Sequence, residues 1–206
     1  MEAARTADPT AERRLDSEKA KRIVTAMRDS VARRGAAGST FDHVAREAGV
    51  SRGLLHYYFG SKERLLVEVV RRDADIRIHT FEERLRGAGS LDEVIDALVL
   101  QLREYVEEEP GWHAVIHELL SAARRNGEIR GELADLYTRV RGQVAEILRE
   151  KEDAGIVRLR TGAESVASVF LSIADGLEVQ IASDSAWDSG PTVATAVEVA
   201  RFLLDA

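Results

Sequence analysis

Apolar residues in this chain recur at spacings of three and four from Ile23 to Leu204, and no stretch sustains the apolar–polar alternation of a strand. A chain patterned this way can hide its apolar side chains only by packing helix on helix, so the expected fold is all-α. Pro9, Pro110 and Pro191 all fall between periodic blocks, where a missing N–H costs little. The pattern predicts helices over about 17–34, 40–48, 52–58, 62–86, 90–108, 111–124, 128–152, 163–182 and 192–204. Gly35 ends the first of these, and Ser90-Leu91-Asp92-Glu93 reads as a capping box opening the fifth. Ile156-Val157-Arg158-Leu159 has strand character but no partner strand, and is read as a connector. The expected division is a polar, disordered tail over 1–16, a three-helix unit over 17–61 and a helical bundle over 62–206.

The run from Ser39 to Phe59 is the most specific feature of the sequence. Ser39 or Thr40 can cap a short helix whose inward face is Phe41, Val44, Ala45 and Ala48. Ala45 is small where two helices must cross, and Gly49 stands where the first must end with positive φ. Val50 plugs the corner, Ser51 can cap a second helix, and Leu55 and Phe59 hold that helix against the first. This is a helix-turn-helix. It leaves Arg52, Gly53, Leu54, His56 and Tyr57 to project outward, on an element of the right size for a major groove. Arg52 can read guanine with two hydrogen bonds, Gly53 allows close approach, and Thr40, His56 and Tyr57 suit phosphate oxygens. Lys62 is expected in the first turn of the next helix, where a cation opposes the helix dipole unless a phosphate docks there. Ser39, Thr40, Ser51, Arg52, Gly53, Leu54, His56, Tyr57 and Lys62 form the candidate DNA-contact set.

The net charge of −7 argues against a nucleic-acid partner, but its distribution does not. Residues 17–62 carry nine cationic side chains (Lys19, Lys21, Arg22, Arg28, Arg33, Arg34, Arg46, Arg52, Lys62) and four acidic ones (Glu18, Asp29, Asp42, Glu47), so the rest of the chain is strongly acidic. A basic block on an acidic body separates a part that touches phosphate from one that does not.

These residues resemble the TetR/AcrR family of repressors. The resemblance is carried by Phe41, by Val44 through Gly53, then by Leu55, Tyr57-Tyr58-Phe59, Ser61-Lys62-Glu63 and Leu65. It covers about residues 20–66, a quarter of the chain, and implies a dimeric, DNA-binding repressor with Thr40, Arg52, Tyr57 and Lys62 at DNA-contact positions. Leu54 and His56 depart from the family's usual threonine and tyrosine, which favours a thymine methyl over a polar contact at Leu54 and weakens the phosphate assignment of His56.

The last two predicted helices are apolar on almost every side. Val169, Ile173 and Leu177 on one, with Val193, Val197, Ala200 and Leu204 on the other, are expected to meet the same pair in a second copy, giving a homodimer. Two recognition helices would then read a palindrome in double-stranded DNA. The resemblance also implies a small-molecule effector held in the bundle, and Tyr105, Trp112, His113, His117, Tyr137 and Phe170 are candidates to line its pocket.

Several classes are not expected. The absence of cysteine excludes disulfides, thiolate zinc and cysteine nucleophiles. His113 and His117 are four apart, with Glu118 beside them, but lack the remaining ligands of a zinc site, so no metal or cofactor is expected. Phosphate-loop, nucleophile-elbow and zinc-protease motifs are missing, so no enzyme is expected. No apolar run approaches the ~20 residues of a membrane span, so no membrane partner is expected and the cytoplasm is the expected location. Asp73, Asp75 and His79 read as a solvated face. The residues leave open a helix-turn-helix regulator answering to a protein partner, an activator, and a cofactor-free helical enzyme.

Overall fold

Each periodic block is a helix in the computed structural model, which describes residues 17–106 and 111–205. The expected tail over 1–16 and the side chain of Trp112 lie outside the described residues. Among these residues the helices are α1 (Glu18–Gly38), α2 (Phe41–Ala48), α3 (Arg52–Phe59), α4 (Lys62–Gly87), α5 (Leu91–Val106), α6 (Gly111–Ala123), α7 (Gly127–Asp153), α8 (Ala163–Ser183) and α9 (Gly190–Leu204). Ser17 caps α1 by accepting the Ala20 N–H at 3.2 Å. α1 runs past its expected end but is broken there, because Gly35 adopts φ +70°, a conformation that costs glycine nothing. At α5 the capping box closes: the Glu93 N–H donates to Ser90 Oγ at 3.3 Å and the Gly89 N–H to Glu93 Oε2 at 2.6 Å. α9 starts two residues earlier than expected, since Pro191 fits a first helical turn.

The chain forms two compact units, one of residues up to Asp73 with Glu109–Leu133, the other of Ala74–Glu108 with Ala134–Ala206. In the first, α1 packs on α6 and α2; Ile23, Met27, Leu55, Leu65, Leu66, Leu119 and Ile129 are fully buried there. Asp73 corrects the expectation of a solvated face: it is buried, and Arg28 Nη1 donates to it at 3.3 Å. Asp75, in the second unit, is exposed and paired with Arg139 at 3.1 Å; His79 is exposed beside Glu83 at 3.3 Å.

In the second unit Leu85, Val94, Ile95, Ile147, Leu148, Val166 and Leu204 share one core. Lys151 is buried beside it, its ammonium donating to the Arg86 and Ala88 carbonyls at the end of α4, each at 2.6 Å. The connector after α7 has a partner that its sequence does not announce. The amides of Arg158 and Arg160 donate to the Leu204 and Leu203 carbonyls at 2.8 and 3.0 Å, satisfying acceptors that the last turn of α9 leaves open.

By length and composition α8 is long and apolar enough to cross a membrane, and 22% of its apolar window is buried. Asp175 and Glu178 interrupt its apolar run. Those two charges turn inward: Glu178 is buried and Asp175 is hydrogen-bonded between helices, while Val169 and Val179 stay 39% and 48% exposed. The helix therefore shows apolar side chains outward, and α9 adds Phe202, also exposed. Leu177, Ala200 and Leu204, expected between copies, are instead buried within this chain.

Candidate nucleic-acid interface

The turn between α2 and α3 follows from four residues. Thr40 Oγ1 accepts the His43 N–H at 3.4 Å and starts α2. Gly49 adopts φ +65°, and the Val50 N–H closes back on the Ala45 carbonyl at 3.0 Å. Ser51 Oγ then accepts the Leu54 N–H at 3.3 Å and starts α3. Leu55 and Phe59 are buried, which fixes the rotation of α3 and decides which of its side chains face out.

That outward face carries Arg52, Gly53, His56 and Tyr57, all exposed, with Leu54 half-buried. Arg52 Nη1 lies 3.3 Å from both carboxylate oxygens of Asp42 on α2. A Cβ on Gly53 would meet nothing nearer than Ser51 Oγ at 3.9 Å, so the protein itself has no need of glycine there. His56 Nδ1 is 3.2 Å from the Gly60 carbonyl. A carbonyl only accepts, so Nδ1 carries a hydrogen in this contact. Tyr57 is 59% exposed, its ring edge-on to Tyr58 at 5.4 Å. Thr40 and Ser51 are exposed as well.

Two members of the candidate set stand differently. Ser39 is fully buried, and its hydroxyl donates to the Gly35 carbonyl at 2.8 Å; it secures the end of α1 and has no surface to offer DNA. Lys62 is half-buried, its ammonium donating to the Ala36 carbonyl, so it also grips the end of α1. The basic block is partly neutralised from within. Arg34 and Arg33 bond Glu47 at 2.5 and 2.7 Å, and the hydrogen bond from Arg34, helped by Arg33, holds the Glu47 carboxyl below its usual range.

The effector candidates separate. His113 (buried) and His117 (exposed) belong to the first unit. Tyr105, Tyr137 and Phe170 belong to the second, where Phe170 packs against the apolar core. Tyr105 on α5 and Tyr137 on α7 converge on α8, donating to Asp175 Oδ1 at 2.8 Å and Oδ2 at 3.1 Å. Burial first, then the Asp175 charge, pushes both hydroxyls above the ordinary tyrosine range. The sequence reading passed over Asp175; the signal was two acidic residues, three apart, in an otherwise apolar helix. It passed over Asp42 too, whose signal was an acid in the first turn of α2, ten residues before an exposed arginine at the start of α3. Among the described residues no group of three or more His, Asp or Glu is arranged to hold a metal.

Two family profiles match the chain: bacterial regulatory proteins of the tetR family over residues 23–69, and the C-terminal region of BetI-type transcriptional repressors over 92–206. The HTH-type transcriptional regulator BetI of Rhizobium meliloti is 27% identical over 84% of this chain and 82% of its own. A putative TetR-family transcriptional regulator from Rhodococcus has a similar fold, with TM-score 0.74 and 20% identity over 91% of this chain and 99% of its own. A putative transcriptional regulator from Saccharomonospora viridis, solved in complex with choline, has TM-score 0.70 and 22% identity over 93% and 96%.

Proposed function

Because the chain belongs to the TetR family of bacterial DNA-binding regulators, we propose that it works as a homodimeric repressor released from a palindromic operator by a small molecule. The observation that carries the reading is the face of α3. Arg52, His56 and Tyr57 stand exposed on a helix whose opposite face, Leu55 and Phe59, is locked in the core. In this reading residues 17–61 read DNA and residues 62–206 hold the effector and the dimer contact. Arg52 takes guanine; Leu54 and Gly53 allow base and backbone to approach; Thr40, Ser51, His56, Tyr57 and Lys62 meet phosphates. Lys62 has three donor hydrogens, so a phosphate contact is compatible with its bond to Ala36.

The apolar surface of α8 and α9, centred on Val169, Val179 and Phe202, is where a second copy would sit, with the half-buried Ile173, Val193 and Val197 at its edge. Two α3 helices related by that two-fold would enter successive major grooves ~34–36 Å apart. The effector's polar contact is placed at Tyr105 and Tyr137, where one carboxylate ties three helices and a guest could exchange for a tyrosine hydroxyl. The choline held by the Saccharomonospora viridis neighbour is a precedent for a small effector on this fold. Regulation rather than catalysis, in the cytoplasm, is the role proposed.

Selection of bound duplexes from a random pool by the purified protein tests this. A palindrome with half-sites one helical turn apart is expected; a folded protein that retains no preferred sequence at moderate salt refutes it.

A further inference from the structure

We infer that Asp42 is a positioning residue for base readout: it grips one corner of the Arg52 guanidinium and leaves the opposite edge to read guanine. The inference rests on the reading that Arg52 contacts a base. Arg52 occupies the first position of α3, where its charge opposes the positive end of the helix dipole. An arginine there is also long, exposed and rotamer-rich, and fixing it on one base costs conformational freedom. Asp42, in the first turn of the preceding helix, answers both difficulties. Both of its carboxylate oxygens lie 3.3 Å from a single guanidinium nitrogen, Nη1. That anchors the side chain at one corner, and the Nε and Nη2 donors, parallel and on the other edge, match the O6 and N7 acceptors of guanine.

The arrangement discriminates in two ways. On a guanine the anchor persists, and the ordering of Arg52 precedes binding. On other sequences Arg52 remains held by Asp42 and is not free to swing to a phosphate. Asp42 itself contributes a negative charge that no phosphate welcomes. The carboxylate thus raises the ratio of specific to non-specific affinity without touching DNA.

Ordering one such side chain corresponds to about a 2- to 12-fold change in affinity. The test measures dissociation constants for a duplex selected from a random pool and for a random-sequence duplex of equal length. The proteins compared are the parent, Asp42→Ala, Arg52→Ala and the double variant, with circular dichroism confirming each fold. Asp42→Ala should narrow the selected-to-random ratio by about 2- to 12-fold, and should not narrow it further once Arg52 is alanine. A capping or helix-stabilising role alone would shift the melt and leave that ratio in place. If Asp42→Ala tightens both duplexes equally, its carboxylate is merely repulsive and the inference falls. If Arg52→Ala leaves the ratio unchanged, the base-reading role of Arg52 fails and takes the inference with it.

Discussion

Lys151→Met isolates what one buried ammonium does for the end of a long helix. Methionine keeps an unbranched stem of similar length, so packing changes little while both hydrogen bonds vanish. The Ala88 carbonyl lies in a buried contact and would be left without its donor, costing about 1–3 kcal/mol. The Arg86 carbonyl is in a part-buried contact, where water can replace the lysine, so its loss adds about 1 kcal/mol. Releasing a buried charge returns some of this. A net loss of about 2–3 kcal/mol follows, which lowers the melting temperature by about 4–12 °C in a chain of this size. Thermal melts followed by far-ultraviolet circular dichroism measure it, with parent and variant at one fixed concentration because association shifts apparent stability. A melt within about 2 °C of the parent would mean that desolvating the ammonium cancels its two bonds, and the reasoning would be wrong.

Arg52→Ala should relax sequence preference by about 1–3 kcal/mol, whereas Lys62→Ala should weaken binding on every duplex and reduce the salt slope by about one; titrations at several salt concentrations separate the two. Replacing Val169 and Val179 together by glutamate should give a monomer in sedimentation and abolish operator binding, since a charged face cannot be buried against itself; an intact dimer would move the interface elsewhere. The raised hydroxyls of Tyr105 and Tyr137 bind protons more tightly folded than unfolded. The stability this gives is complete below the unfolded value of 10.0 and is lost as pH climbs through the higher folded values. Absorbance near 295 nm should show both still protonated at a pH where free tyrosine has ionised; ionisation of all four tyrosines there, with native dichroism, contradicts the burial argument.

What the sequence made legible was local. Thr40, Gly49 and Ser51 act within four residues of themselves, and their roles as start, turn and start could be read from spacing alone. Leu55 and Phe59 likewise named the buried side of α3. What stayed hidden depends on partners far along the chain. Lys151 meets Ala88 across 63 residues and Tyr105 meets Asp175 across 70, and no periodicity encodes such pairs. Ser39 shows the same limit at short range: its type suited a surface cap, and only the break at Gly35 turned its hydroxyl inward. On α8 the pattern of apolar residues did not say which of them this chain buries: Leu177 and Glu178 are buried, whereas Val169 and Val179 are exposed.

The order in which the chain visits its two units limits how the molecule can be rearranged. α1 leans on α6, a segment that arrives only after the chain has left the first unit and come back. The reading head is therefore not a detachable cassette. Cut at residue 61 and fused to another body, it would lose the floor beneath its first helix, and a working chimaera has to bring residues 111–133 with it.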